Sequence, residues 1–161
     1  MYPNFSLPEH TKLINLLAPA ADAAGRTGAY VSLKHAVKAW IIININQGNA
    51  ATILLSLLQA SAVVGTGSKV LTNVVPIWSN LSTAASDTLV KRTDAVNLTT
   101  DAGLTIKQVI FEIDPAKLDL AGGFDCIGLS TGASNVANIT QANLWAAVRY
   151  PSATPPTMVT D

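Results

Sequence analysis

Charge is what this sequence has least of. Asp, Glu, Lys and Arg make up 12% of its 161 residues, ten acidic against ten basic, where soluble domains usually carry about 25%. A formally neutral, lightly charged chain has little electrostatic protection against self-association. Much of its surface is therefore expected to be covered by copies of itself or by a larger assembly. Nucleic acid is disfavoured as a partner, because phosphate binding needs a concentrated basic surface and the bases here are scattered from Lys12 to Arg149. Cysteine is nearly absent too. Cys126, in "FDCIGL", has no partner for an internal disulfide and reads as a small buried hydrophobe rather than a nucleophile. The two histidines, His10 and His35, are too few for a His-rich metal site. The opening "MYPNFSLPEH" has neither the basic head nor the apolar core of a signal peptide.

Long apolar runs are missing as well. The most hydrophobic stretch, residues 40–58, "WIIININQGNAATILLSLL", is interrupted by Asn44, Asn46 and Asn49, and neither half approaches the roughly 20 residues of a membrane helix. No membrane partner is expected. Catalytic constellations are equally scarce. "GTGSK" at 65–69 has the order Gly-Ser-Lys rather than the Gly-Lys-Ser/Thr of a phosphate loop and reads as a hairpin turn. "DPAKLD" at 114–119 supplies two carboxylates, but Asp114-Pro115 is more simply a strand end followed by a turn. With no nucleophile, base and orienting group to assemble, neither enzymatic activity nor a cofactor or metal is expected.

What the chain does contain is strand punctuation. From Tyr30 onward, short runs rich in Val, Ile and Thr alternate with Gly, Asn, Asp, Ser and Pro. Residues 37, 39, 41, 43 and 45 place Val, Ala and Ile on one face of an extended chain, and Ile53, Leu55 and Leu57 repeat the pattern after Gln47-Gly48-Asn49. Period two fits better than period 3.6. The two runs are expected to be antiparallel strands joined by a short turn at Gly48 or Asn49. Further strands are expected at 69–78, 88–91, 95–99, 107–113, 124–130 and 142–150. That count of short strands points to an all-β fold, an antiparallel two-sheet sandwich of jelly-roll type, with a small barrel as the alternative.

The ends differ from the middle. Ser6 and Glu9 have capping-box spacing, and Leu13, Ile14, Leu16 and Leu17 follow with helix-like intervals. A short helix over 7–17 is expected, in an N-terminal arm of residues 1–28 ending in a small-residue connector; its apolar group is a candidate interface with a neighbouring subunit. The sandwich domain is expected over 29–150. The tail 151–161, with Pro151, Pro155 and Pro156, cannot continue a sheet and should be extended and exposed unless a neighbour receives it. Residues 130–140, "STGASNVANIT", form a candidate exposed loop in which Ser130, Asn135 and Asn138 could bind sugar or simply connect strands. Trp40, Trp78 and Trp145 could anchor a core or an interface, with the core favoured for most.

"NQGNAAT" (46–52), "FDCIGLSTGASNVANIT" (124–140) and "RYPSATPP" (149–156) together resemble small structural proteins of tailed bacteriophages and prophages, in particular the capsid cement, or decoration, proteins. The likeness spans most of the chain from Tyr30. It implies a β-rich protein made in the bacterial host cytoplasm that sits in many copies on the outer capsid surface of the virion. Such a protein bridges major capsid protein subunits and is often a homo-oligomer, a trimer around local three-fold positions. Leu13, Ile14, Leu16, Leu17, Pro155 and Pro156 are then the candidate contacts with shell or subunit. Two readings stand beside it: a tail-tube or head–tail connector component, and a carbohydrate-binding jelly-roll module using Trp78, Trp145 and the 130–140 loop.

Overall fold

Alternation of buried and exposed side chains organises the whole chain. In the computed structural model, which describes residues 6–161, twelve strands form two antiparallel sheets. The larger sheet has the order β1 (Thr11–Ala21), β12 (Asn138–Val148), β4 (Ala36–Gln47), β10 (Ile106–Ile113), β7 (Ile77–Asn80), β8 (Val90–Lys91). The smaller runs β2 (Arg26–Thr27), β11 (Cys126–Thr131), β5 (Leu54–Ala60), β6 (Lys69–Val70), with β3 (Val31–Ser32) also on β11 and β9 (Asn97–Thr99) also on β5. From β4 onward the long strands β4, β5, β10, β11 and β12 alternate between the sheets, and the last lies beside the first, which is the wrapping of a jelly roll.

Ala39, Ile41, Ile43 and Ile45 of β4 face inward beside Val109, Phe111 and Ile113 of β10 and Ala142, Leu144 and Ala146 of β12. Ile53, Leu55, Leu57, Ile127 and Leu129 meet them from the smaller sheet and its approach. Val37 departs from the expected face. A register irregularity between Ala147 and Val148 pairs Val148 with Ala36, so Ala36 is buried and Val37 exposed.

Three expectations are corrected. The helix over 7–17 is only α1 (Leu7–His10), and the Ser6 side chain makes no capping hydrogen bond. Residues 11–21 are a strand instead: eight register pairs tie them to β12, and Leu16 and Leu17 are core residues. The spacing misled because irregularities after Asn15 and after Leu17 shift the register, so that two consecutive leucines point inward and an extended chain imitates a helical stripe. The 1–28 segment is thus no separate arm; its first five residues lie outside the described residues. Second, β4 and β5 are not a hairpin. They belong to opposite sheets, and 48–53 is the crossover. Third, the tail is not free: Met158 is buried in the core and its carbonyl accepts from Ser32 N at 2.8 Å.

Two buried polar knots brace the sandwich. The Asp22 carboxylate accepts from Arg26 Nε (2.9 Å) and Thr131 Oγ1 (2.7 Å), while Arg26 donates onward to the carbonyls of Ala18 and Thr140. One ion pair thereby joins β1, β2, β11 and β12. Along the row that runs from Thr140 through Ile45 to residue 107 of β10, the fully buried Lys107 ammonium donates to Asp101 Oδ1 (3.0 Å), Thr105 Oγ1 (2.9 Å) and the Gly103 carbonyl, so its charge is paired and saturated with acceptors.

Candidate functional site

The face of the larger sheet turned away from the core is the most distinctive surface. Since β4, β10 and β12 send every second residue inward, the intervening residues line up across strands in rows fixed by the register. One row reads Leu13, Trp145, Trp40, Glu112 from β1 to β10, and the next Asn15, Asn143, Ile42, Ile110, Trp78, Lys91 from β1 to β8. Gln141, Asn44 and Gln108 form a third, and Ile139, Asn46 and Ile106 a fourth.

The face is broad and almost without free charge. Glu112 is paired with Lys38 (3.1 Å) and Lys91 with Asp94 (2.8 Å); the Lys38 ammonium also stands 5.5 Å from the Trp40 ring centre. Amides bond sideways across strands, Gln108 Nε2 to Asn44 Oδ1 (3.1 Å) and Asn15 Nδ2 to Asn143 Oδ1 (3.3 Å). Leu13 (62% exposed), Ile106 (54%) and Ile139 stand out from it, and all three tryptophans are half-buried on it rather than in the core. Shallow grooves flank it, one of about 320 Å³ between α1, Leu13 and Trp145, another of about 170 Å³ beside Pro19, Asn46, Ile106 and Ile139.

The residues singled out from the sequence are not brought together. Leu13 lies on this face, Ile14 is partly buried against the core, and Leu16 and Leu17 are inside it. Pro155 is half-buried and Pro156 exposed, both in the tail. Ser130 belongs to β11, opposite Thr27 and Ser56, rather than to a loop. Asn135 closes a local turn by accepting from Ala137 N (2.9 Å). Asn138 is fully buried, contrary to its expected exposure: its Oδ1 accepts from Asn49 N (2.7 Å) and its Nδ2 donates to Ala51 O and Ser134 Oγ (2.8 Å each). It latches the 48–53 crossover to the 132–137 loop. Of the sequence strings that suggested a family, "NQGNAAT" and the second half of "FDCIGLSTGASNVANIT" are the two sides of this latch.

The titratable groups behave as structural elements. Burial, reinforced by the neighbouring Asp125 carboxylate, pushes the Cys126 thiol up to about 12. Asp119 is held below its ordinary value by the Lys69 ammonium at 2.7 Å and by Gly122 N–H. Asp114 accepts from Ala116 N at 2.9 Å, so each carboxylate of the pair serves its own turn. Among the described residues, no group of three His, Cys, Asp or Glu could hold a metal ion, and no helix is long and apolar enough to cross a membrane.

The outer face escaped sequence reading because its signal is distributed. Each strand carries apolar residues on both faces, and only the register shows that Trp40, Trp145 and Leu13 are neighbours. No family model matches the chain, and no curated protein matches it either. Among solved structures, the crystal structure of SPBc2 prophage-derived protein YomS is similar, with a TM-score of 0.48 and 9% sequence identity over 85% of this chain and 93% of that one. At that distance the likeness bears on neither role nor partner.

Proposed function

We propose that the protein is a structural component of a phage virion, a cement protein that binds the outside of the assembled shell as a homo-oligomer, most simply a trimer, and bridges major capsid protein subunits. The observation that carries this reading is the outer face of the larger sheet. Its rows of Trp, Ile, Leu, Asn and Gln contain charges that are already paired. Covering such a face removes apolar area from water without stripping solvent from a lone ion. Tryptophans surrounded by adaptable amides are the composition of a contact anchor. The sequence strings that resemble the decoration proteins point the same way.

The mechanism is linkage. A protein that binds only the assembled, expanded shell adds its binding free energy to that state, and many modest contacts repeated by symmetry give firm attachment. The test is cosedimentation of purified protein with expanded shells. Leu13→Glu and Trp145→Glu should abolish pelleting, whereas Val64→Glu, at an 84% exposed residue in the loop between β5 and β6, should not. Equal pelleting of all three folded variants would remove the sheet face from the account.

A further inference from the structure

The C-terminal segment is held in a way that invites exchange. β12 ends at Val148, and residues 149–157 run across the surface, exposed except for half-buried Pro155. Pro151, Pro155 and Pro156 lack the N–H of a ladder and fix φ, keeping this stretch extended. It is tied down only by Arg149 N to His35 O (2.8 Å) and Ser152 N to Glu9 O (3.2 Å) among backbone hydrogen bonds of the described residues. Then comes the apolar anchor. Met158 is 1% exposed, in the same apolar cluster as Val31 and Leu33, and its carbonyl accepts from Ser32 N, continuing the smaller sheet past β3 by one hydrogen bond. The Asp161 carboxylate accepts from Val63 N at 3.1 Å.

We propose that this segment is an exchangeable strap, and that the socket beside Ser32 takes Met158 and its flanks from a second copy of the chain. The socket is complementary to this sequence whichever copy supplies it, so exchange conserves every contact and costs only the association of two chains. Nine residues, 149–157, separate Val148 from Met158; at about 3.1 Å per residue the ten steps reach about 30 Å, twice the roughly 15 Å radius of gyration of a chain this long. A neighbour packed alongside is therefore within range. High local concentration in an assembly favours the exchanged form. An empty socket exposes part of the core beneath it, which disfavours a free strap beside a vacant site. The strap stands independently of the shell-binding reading, since it concerns only how copies of this chain join one another.

The 161-residue chain labelled with photo-methionine carries the probe at Met1 and Met158. Light- and heavy-nitrogen copies are mixed in equal amounts, unfolded, refolded together at high concentration, separated by size and irradiated. In the oligomer, about half of the crosslinks from the 158 peptide to the peptide containing Ser32 should join light to heavy chains, the random-pairing value for an exchanged element. Crosslinks that join only like-labelled peptides, or a chain that remains monomeric at the highest concentration, would overturn the proposal. Met158→Asp should return the oligomer to monomer with its far-ultraviolet spectrum retained; a folded Met158→Asp oligomer would also overturn it. Should that variant not fold, the crosslinking result stands alone.

Discussion

If residues 11–21 are a strand of the sandwich, truncating its inward side chains must destabilise the whole domain, whereas truncating its outward ones must not. Leu16 (4% exposed) and Leu17 (5%) lie in the core cluster, and Leu13 is 62% exposed on the opposite side of the same strand. Each buried Leu→Ala change should cost about 2–5 kcal/mol through lost transfer energy and the cavity left behind. Leu13→Ala should stay within about 0.5 kcal/mol. With a urea m-value of about 1–3 kcal/mol/M for a small domain, a loss of about 3 kcal/mol moves the midpoint by about 1 M or more. The double Leu16→Ala, Leu17→Ala variant should forfeit a large part of the roughly 5–15 kcal/mol that ordinary domains possess. Urea titrations followed by tryptophan fluorescence give the three midpoints. Equal midpoints for Leu13→Ala, Leu16→Ala and Leu17→Ala, or a chain lacking residues 1–21 that unfolds where the full chain does, would restore the detached arm and refute the strand.

Other outcomes follow from single groups. With its thiol pushed up to about 12, Cys126 should resist alkylation at pH 8 in the native protein and react at the rate of an ordinary thiol in denaturant; full labelling of the native state would show that it is accessible. Asn138→Ala should cost about 2–3 kcal/mol, because Asn49 N loses its acceptor and a small cavity opens; a midpoint unchanged by this substitution would mean the latch closes without it. Burial works against the Asp101 charge, but the Lys107 ammonium and the Gly103 N–H outweigh it and hold the carboxyl below its ordinary value. Its contribution to stability is then present above the unfolded carboxylate pKa of about 3.9 and is lost as pH falls through the lower folded value. Lys107→Met should flatten that acid limb, measured as urea midpoint against pH, and an unchanged slope would contradict the assignment.

Fold class was legible in the sequence because it rests on period-two alternation, which β4 and β5 display within their own residues: Ile41, Ile43 and Ile45, then Leu55 and Leu57 share a face as expected, and Val109, Phe111 and Ile113 of β10, a strand expected without an assigned face, also point inward. The hairpin turn expected at 65–69 is also present: β5 pairs with β6 across it, and Gly65 and Gly67 adopt φ of 85° and 64°. What failed was whatever depends on another strand. The alternation of β4 and β5 says nothing about whether they pair, and they lie in opposite sheets. The leucines of β1 imitated a helix because its register irregularities are imposed by β12. Asn138 looked like an exposed loop residue because its three partners lie between 4 and 89 residues away. The same limit hid the outer face, whose Trp40 and Trp145 become neighbours only through the pairing of β4 with β12.

The central claim is that the outer face of the larger sheet seats the protein on a repeating shell. Cryo-electron microscopy of the virion that carries this chain, or of expanded shells mixed with the purified protein, tests it directly. Density is expected at regular lattice positions on the outer capsid surface, with the row containing Leu13, Trp145 and Trp40 covered by a neighbouring subunit. Density confined to the tail or portal axis, or lattice density in which that row faces solvent, would contradict it.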